Sequence, residues 1–308
     1  MNINQSKILN TTVPKLNWLI SLVACAGISS ISLPVRGQAV LPYVPKLDSQ
    51  KLESQGLQLL QDAVQLIRFQ QYDLALPRAE LATQLAPGNY EVWFILGNLY
   101  VQQEELKKGV NALEKAESLA PEEEGILFSL GNAYFQQGEY EVAREKLEDG
   151  LEIEGNSPEA LFDLGNTYLK LSELDKAIDS YEEAFAKDKT FWPALNNVGL
   201  VEYEQRDRTQ AIARWQSVIK VDGKQAEPQL ALAVALFTEG ETEKAIALGK
   251  AALKLDNRYA DIKFLQDNLW GEQLIEDTKI FLSNPQIQEI VSSYQRTPSE
   301  EEAEVPIP

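Results

Sequence analysis

Few side chains in this sequence are suited to catalysis. The 308 residues include no histidine and one cysteine, Cys25. A Ser-His-Asp triad, a Cys-His dyad, a His-ligated zinc site and an intramolecular disulfide are therefore excluded. Carboxylates and lysines remain for acid–base chemistry or magnesium binding, but no GxxxxGK[ST], GxGxxG or GxSxG motif is present to position them. We predict no catalytic residue, no metal site and no cofactor.

Amide, aromatic and aliphatic side chains recur at intervals of 34 residues and offer binding chemistry instead. Three rows are present: Phe94, Phe128, Phe162 and Asn196; then Asn98, Asn132 and Asn166; then Val101, Phe135, Leu169, Tyr203 and Phe237. An asparagine amide both donates and accepts, so a row of amides can bind the backbone of an extended peptide, while phenylalanines supply apolar area. The alternative is that the asparagines bridge neighbouring helices and the phenylalanines pack between them.

The same interval runs through the elements that must position these side chains. Small residues stand 34 apart at Ala63, Gly97, Gly131, Gly165, Gly199 and Ala233, and again twelve residues later at Ala75, Gly109, Ala143, Ala177, Ala211 and Ala245. In each interval, apolar residues fall three and four apart in two stretches separated by polar residues. This pattern predicts a helix, a turn and a second helix in every unit.

The spacing of the bulky residues resembles a known repeat. Trp93, Leu96, Gly97 and Tyr100, followed by Gly109, Leu113, Ala116 and Pro121, are similar to the tetratricopeptide repeat. We predict six units: 56–89, 90–123, 124–157, 158–191, 192–225 and 226–259. The resemblance implies an all-α, right-handed superhelical α-solenoid with a C-terminal capping helix. It also implies a concave groove lined by the first helix of each unit, with the three rows at its surface.

Other segments flank the repeats. We predict a signal peptide or membrane anchor over 1–39, a linker over 40–55, capping helices over 260–296 and an acidic disordered tail over 297–308. Residues 16–35 carry no charge, follow Lys7 and Lys15, and precede Arg36. Three interpretations stay open for them: a cleaved secretory signal, an uncleaved anchor just long enough to span a bilayer, or a lipobox with Cys25 lipidated. All three place the protein at or across a membrane or export it, with the side that carries the repeats undetermined.

The charge balance restricts the partners. There are 28 Lys and Arg residues against 47 Asp and Glu, a net charge of −19 that disfavours nucleic acid. A neutral-to-basic, apolar protein segment is the expected ligand. A carboxylate clamp for chaperone tails is not expected, because the inner positions hold phenylalanine and glutamine and only Lys170 is cationic. We expect the glutamates of the second helices, such as Glu114 and Glu148, to form a solvated convex face.

Together these features predict a non-catalytic scaffold that binds another protein near a membrane. The layout is also similar to the photosynthetic tetratricopeptide proteins of thylakoids, including the one that interacts with protochlorophyllide oxidoreductase. That similarity implies a role in pigment synthesis or photosystem assembly. The alternative is a structural unit of the cell envelope that self-associates through Trp270 and the capping helix, or through unmasked end repeats.

Overall fold

The computed structural model describes residues 48–295, which contain fifteen α-helices, one 3₁₀ turn and no β-strand. The first twelve helices are α1 Ser49–Arg68, α2 Tyr72–Leu85, α3 Tyr90–Gln102, α4 Leu106–Leu119, α5 Glu124–Gln137, α6 Tyr140–Ile153, α7 Pro158–Lys170, α8 Leu174–Lys187, α9 Trp192–Glu204, α10 Arg208–Val221, α11 Ala226–Thr238 and α12 Thr242–Leu255. They pack as six consecutive hairpins, α1 with α2 through α11 with α12. The predicted all-α solenoid of helical hairpins is confirmed.

The start of each first helix follows from local capping chemistry. Ser157 accepts a hydrogen bond through Oγ from the Ala160 amide at 3.1 Å, and Pro158 supplies the fixed φ that suits a first helical residue. Asn89 caps α3 in the same way, through the Val92 amide at 3.3 Å. The first helices of units two to six begin at the residues predicted to open those units.

The turn inside every hairpin uses one residue in the left-handed region. These residues stand 34 apart, with φ of 58° at Gln70, 61° at Glu104, 82° at Gly138, 62° at Ser172, 67° at Arg206 and 85° at Gly240. Glycine adopts this conformation without steric cost, whereas the other four carry a Cβ against the backbone. The fold therefore stores backbone strain at four of its six turns.

Glycine at the centre of the first helix lets the second helix approach closely. A Cβ at Gly97 would lie 2.6 Å from Leu113 Cγ, and one at Gly165 would lie 2.5 Å from the Tyr181 ring. This space is filled by leucine in units two and three, by tyrosine in unit four and by tryptophan in unit five: Leu113, Leu147, Tyr181 and Trp215. In units two to five, the hairpin is thus closed by a large side chain of the second helix that packs on a glycine of the first helix.

At the N-terminal end, the structure corrects the predicted linker. Helix α1 begins at Ser49, and Asp48 accepts from the Lys51 amide at 3.2 Å as its N-cap. Residues 49–55 are therefore helical, because the cap and an apolar face that includes buried Leu60 and Ala63 extend the helix upstream. The predictions for residues 1–39, Cys25 and the tail 297–308 lie outside the described residues.

The C-terminal region folds back on the last two units. After the 3₁₀ turn Asn257–Ala260 come α13 Ile262–Asp267, α14 Glu272–Leu282 and α15 Pro285–Gln295. Helix α14 contacts α9 and α11, and α15 contacts α12. Trp215, Leu265, Trp270 and Phe281 lie together in the apolar cluster where these elements meet.

Candidate binding groove

The first helices of successive units form the inner side of the stack. Helix α1 contacts α3, α3 contacts α5 and α5 contacts α7, whereas no contact of similar extent joins second helices between residues 48 and 295. Because residues three and four apart share a helix face, positions such as Phe94, Asn98 and Val101 follow one another along this inner side.

The predicted phenylalanine row is partly exposed and partly packed between helices. Phe94 lies near Gly125 of the next unit, and Phe128 packs on Gly150. Phe162 meets the rings of Tyr181 and Phe191 with centroid distances of 5.6 and 5.5 Å. All three phenylalanines retain some solvent exposure. They combine both uses considered from the sequence, anchoring neighbouring helices and presenting ring area to the groove.

The asparagine row differs from unit to unit. Asn98 is partly exposed and has no side-chain hydrogen bond to another described residue. Asn132 accepts through Oδ1 from Gln136 Nε2 on its own helix at 2.7 Å. Asn166 accepts through Oδ1 from the Tyr181 hydroxyl at 2.8 Å and from Asn197 Nδ2 at 3.1 Å, so it bridges α7, α8 and α9. One asparagine of the three therefore has the bridging role that the alternative interpretation assigned to all of them.

The third row stays accessible in units two to four. Val101, Phe135 and Leu169 are partly exposed, and the Phe135 ring packs on Tyr140 with a centroid distance of 5.4 Å. Together with the residues above, they leave an open apolar and amide surface along α3, α5 and α7. This surface is called the open groove below.

In units five and six two of the predicted groove residues, Asn196 and Tyr203, are buried and Phe237 is partly covered, so this part of the prediction is corrected. Asn196 is 1 % exposed and Tyr203 is 0 % exposed. Phe237 packs against Phe281 of α14 at a centroid distance of 5.4 Å. The physical reason is that α14 contacts α9 and α11, where Asp277 and Phe281 cover Tyr203 and part of Phe237, which keeps some solvent exposure. The open groove therefore ends before α9.

Polar contacts fix α14 in this position. The Glu204 carboxylate accepts from the backbone amides of Gln273 at 3.0 Å and Leu274 at 2.9 Å, which satisfies donors in the first turn of α14. Trp270 Nε1 donates to Glu227 Oε1 at 2.9 Å. Burial raises the pKa of the Glu227 carboxyl, although hydrogen bonds from Trp270 and Asn196 oppose the shift.

The sixth unit provides the space that α14 fills. At the position held by Trp215 in unit five, unit six has Gly249, and a Cβ there would clash with the Phe281 ring. Phe281 is 0 % exposed. A side chain of α14 thus replaces the one that closes the hairpins of units two to five. Trp270 is buried as well, at 4 % exposure, so the predicted self-association through Trp270 is wrong.

Tyrosine–glutamate hydrogen bonds connect successive units. Each tyrosine hydroxyl donates to a glutamate twenty residues earlier, at 2.7 Å from Tyr100 to Glu80, 2.8 Å from Tyr134 to Glu114 and 2.5 Å from Tyr168 to Glu148. In the next unit, Arg214 lies between Glu182 and Glu202 instead. Glu114 and Glu148 therefore join units as well as facing solvent, which corrects the expectation of a purely solvated face. The 34-residue spacing of these glutamates is a signal that sequence reasoning missed.

A half-buried acid, Asp163, was also missed. Asp163 lies on α7 one turn before Asn166, and burial, together with the charge of Glu159, raises its pKa to about 6. Among the described residues no side chain donates to its carboxylate or pairs with it.

The described residues contain no group of three or more side chains able to hold a metal ion. Within the same residues, no helix has the length and apolar character that crossing a bilayer requires.

Comparison with known proteins agrees with this architecture. Sequence models of the tetratricopeptide repeat match residues 97–138, 131–172, 158–191 and 199–260, just over half of the chain. The chain is a solenoid of helical hairpins. It belongs to the tetratricopeptide repeat family.

Solved structures with the same fold are distant in sequence. The pilF protein of Pseudomonas aeruginosa is 15 % identical with a TM-score of 0.59, over 72 % of this chain and 98 % of that one. The Cut9–Hcn1 hetero-tetramer of the APC/C matches at 16 % identity and a TM-score of 0.59, over 75 % of this chain and 45 % of that one. A MamA RS-1 double mutant is 17 % identical with a TM-score of 0.51, over 58 % of this chain and 97 % of that one. These matches show the fold. No curated protein matches the sequence.

Proposed function

We propose that this protein is a non-catalytic scaffold that binds a segment of another protein in the open groove. Members of the tetratricopeptide family are typically protein-binding scaffolds, which supports the general class. The observation that carries the proposal for this chain is the contrast along its inner side. Units five and six are occupied by the protein's own α14, whereas equivalent positions on α3, α5 and α7 remain accessible.

The covered end supports a polypeptide as the ligand of the open end. Helix α14 buries Phe281 on Phe237 and satisfies Tyr203 by a hydrogen bond to Asp277. Both Tyr203 and Phe237 belong to the row that continues as Val101, Phe135 and Leu169. The inner side of the first helices thus already binds apolar and polar side chains of a polypeptide, α14, at its C-terminal end. The same kind of surface on α3, α5 and α7 is suited to bind a segment of another polypeptide.

Site-specific photo-crosslinking tests this proposal. A benzophenone side chain placed at Val101 or Leu169 should crosslink the partner in native cells, because both positions are partly exposed on first helices of the open groove. The matched control is Ile153, which is 48 % exposed at the end of α6, away from the groove. Capture of the same polypeptide from Ile153 as from the two groove positions would contradict the proposal. A second result would also contradict the proposal. It is an undiminished yield of the captured polypeptide when Asn98, Asn132 and Asn166 are all changed to alanine.

The cellular setting is proposed on sequence grounds alone. The uncharged residues 16–35 support membrane association or export, by cleavage, anchoring or lipidation at Cys25. The narrower role in pigment synthesis or photosystem assembly is supported only by the similarity to thylakoid tetratricopeptide proteins. Mass measurement of the mature N-terminus separates the three N-terminal interpretations.

A second candidate function, self-association as a structural unit, is supported by an aliphatic row on the outer side. Leu119, Ile153, Val221 and Leu255 end their helices at the same position of the repeat, with exposures of 36, 48, 45 and 49 %. Exposed apolar rows favour association. Analytical ultracentrifugation at several protein concentrations tests this candidate function. A protein that sediments as a monomer at every concentration would reject self-association.

A further inference from the structure

The first unit departs from the groove pattern of the units that follow it. Where units two to four carry a phenylalanine, as at Phe94, unit one has Leu60, and where they carry an asparagine, as at Asn98, unit one has Val64. Leucine and valine are smaller than a phenylalanine ring and have no amide. The inner side of α1 is therefore aliphatic at the two positions that are aromatic and polar in α3, α5 and α7.

A cavity of about 480 Å³ lies between α1 and α3 at these positions. It is lined by Leu60, Gln61, Val64, Gln65, Arg68 and Glu91. In unit two, the Phe94 ring extends to the next unit, and its tip lies 3.9 Å from a Cβ placed on Gly125. Leu60 and Glu91 are the equivalent pair one repeat earlier, and no aromatic side chain lines the cavity. The volume is within the range of about 300–1,000 Å³ that is usual for ligand sites.

The side chains around this cavity favour a neutral ligand group. Leu60 is 7 % exposed, and Val64 and Ile95 pack against the apolar cluster that contains it. Arg68 and Glu91 are exposed, and neither forms an ion pair with another described residue. A charged side chain in the cavity would be attracted by one of these two groups and repelled by the other. A side chain with apolar area and a neutral polar tip suits both parts of the lining.

The C-terminal end of the solenoid shows how a similar space is filled. In unit six, Gly249 stands where Trp215 closes the hairpin of unit five, and the Phe281 ring of α14 occupies the space. Among the described helices, α1 packs against α2 and α3, and neither supplies a ring to the cavity of unit one. An aromatic side chain from outside these helices would fill it in the same way.

We infer that this cavity extends the open groove onto α1 and binds an aromatic side chain of the partner, with tyrosine favoured over phenylalanine. The subsite rests on the proposed function and specifies the chemistry of its ligand. A ring buries apolar area on Leu60 and Val64, and the Arg68 guanidinium can stack on its face. A tyrosine hydroxyl can also donate to the Glu91 carboxylate, as the Tyr100 hydroxyl does to a glutamate of the neighbouring unit.

Peptide pools test the inference with the full chain immobilised. Each pool contains degenerate octapeptides of alanine, valine, serine and glutamine, with tyrosine, phenylalanine, leucine, lysine or glutamate fixed at the fifth position. We expect the tyrosine pool to be retained roughly tenfold more than the leucine pool, with phenylalanine between them. The lysine and glutamate pools should be retained least.

Ring-filling variants make the result specific. Leu60→Phe gives unit one the ring that units two to four carry, so it should fill the cavity from within and remove the aromatic preference. Leu119→Phe makes the same change at a position 36 % exposed at the end of α4 and should preserve the preference. If Leu60→Phe lowers the thermal midpoint, Val64→Phe places a ring in the same cavity from a partly exposed position. Glu91→Ala should equalise the tyrosine and phenylalanine pools, and an unchanged ratio would contradict the role given to Glu91.

The remaining outcomes separate the inference from the proposed function. Retention without an aromatic preference, or a preference that survives both ring-filling changes, overturns the inference and leaves the proposed function standing. If the wild-type chain retains no pool, the inference fails, and crosslinking from Val101 and Leu169 decides the proposed function independently. A benzophenone at Gln65 should crosslink the tyrosine pool. A crosslink to residues 1–47 of the same chain or to a second copy instead would show that the protein fills the cavity itself, which also overturns the inference.

Discussion

The Tyr203 hydroxyl donates a 2.6 Å hydrogen bond to Asp277 Oδ2 and so joins α9 to α14 across 74 residues of sequence. Tyr203 has no exposed surface, and Asp277 is 9 % exposed. Burial, and secondarily the hydrogen bond to Asp277, raises the pKa of Tyr203 to about 12. The tyrosine therefore stays a neutral donor over the physiological range and holds the end of the groove closed.

Removing this donor should loosen α14. Tyr203→Phe leaves Asp277 with Gln273 as a donor at 3.1 Å and Arg208 at 3.7 Å, so the expected loss of stability is about 1–2 kcal/mol, toward the lower end for hydrogen bonds to charged groups. Hydrogen exchange of the amides of α14 measures this local opening, since repeat proteins do not unfold in one step. Tyr140→Phe is the control, because its hydroxyl has no hydrogen bond to another described residue. Equal exchange rates in the two variants would contradict the role assigned to Tyr203.

The Phe281 ring should contribute more to the same contact. Phe281→Ala opens a cavity beside Gly249 and Phe237, and buried Phe→Ala changes cost about 3–5 kcal/mol. We expect faster exchange in α14 and a lower thermal midpoint, with little change in α3 and α5. Ile280→Ala, at a position 59 % exposed, should shift the midpoint far less. A similar shift in both variants would show that α14 is not packed through Phe281.

The left-handed turns predict substitutions that stabilise the protein. Ser172 has φ of 62°, and Gly138 holds the equivalent turn at 82°. Ser172→Gly should raise the free energy of unfolding by about 1 kcal/mol, because glycine adopts this conformation without a Cβ clash. Gly138→Ser should lower it by a similar amount. Urea denaturation of both variants measures the effects, and a fall in stability on Ser172→Gly would exclude strain at this turn.

The sequence was sufficient to predict the hairpins, because the same packing contacts recur in every hairpin and require the same residue types every 34 residues. Its small residues mark where helices touch, as Gly97 and Leu113 show. The same interval placed Phe94, Asn98 and Val101 on one face of α3.

The covering of the groove could not be predicted from that interval. Tyr203 and Asn196 are in register with accessible residues, and nothing in their spacing shows that another element lies over them. The apolar pattern of residues 260–283 predicted a cap but not which side of the last units it covers. Gly249 was the available signal, since a small residue where Trp215 stands one unit earlier leaves a space to be filled.

The pH dependence of stability provides a last test, centred on Asp163. Its pKa is about 6 in the folded chain, above the ordinary value near 3.9 expected in the unfolded chain. Below about pH 4 the carboxyl is protonated in both states. Between about pH 4 and 6 the folded state retains a proton that the unfolded state has lost, so the free energy of unfolding falls as the pH rises.

Asp163→Asn should remove this contribution. The variant should match the wild-type protein near pH 4 and become more stable by about 1–2 kcal/mol at pH 7.5, a value reduced from the full shift because the carboxylate is partly exposed. Urea denaturation at pH 4, 5, 6 and 7.5 measures the difference between the two proteins, which separates Asp163 from other groups that titrate. Asp179→Asn should show no such trend. A difference that stays constant across the four pH values would mean that Asp163 is solvated like an ordinary surface acid, and that its charge costs the fold nothing.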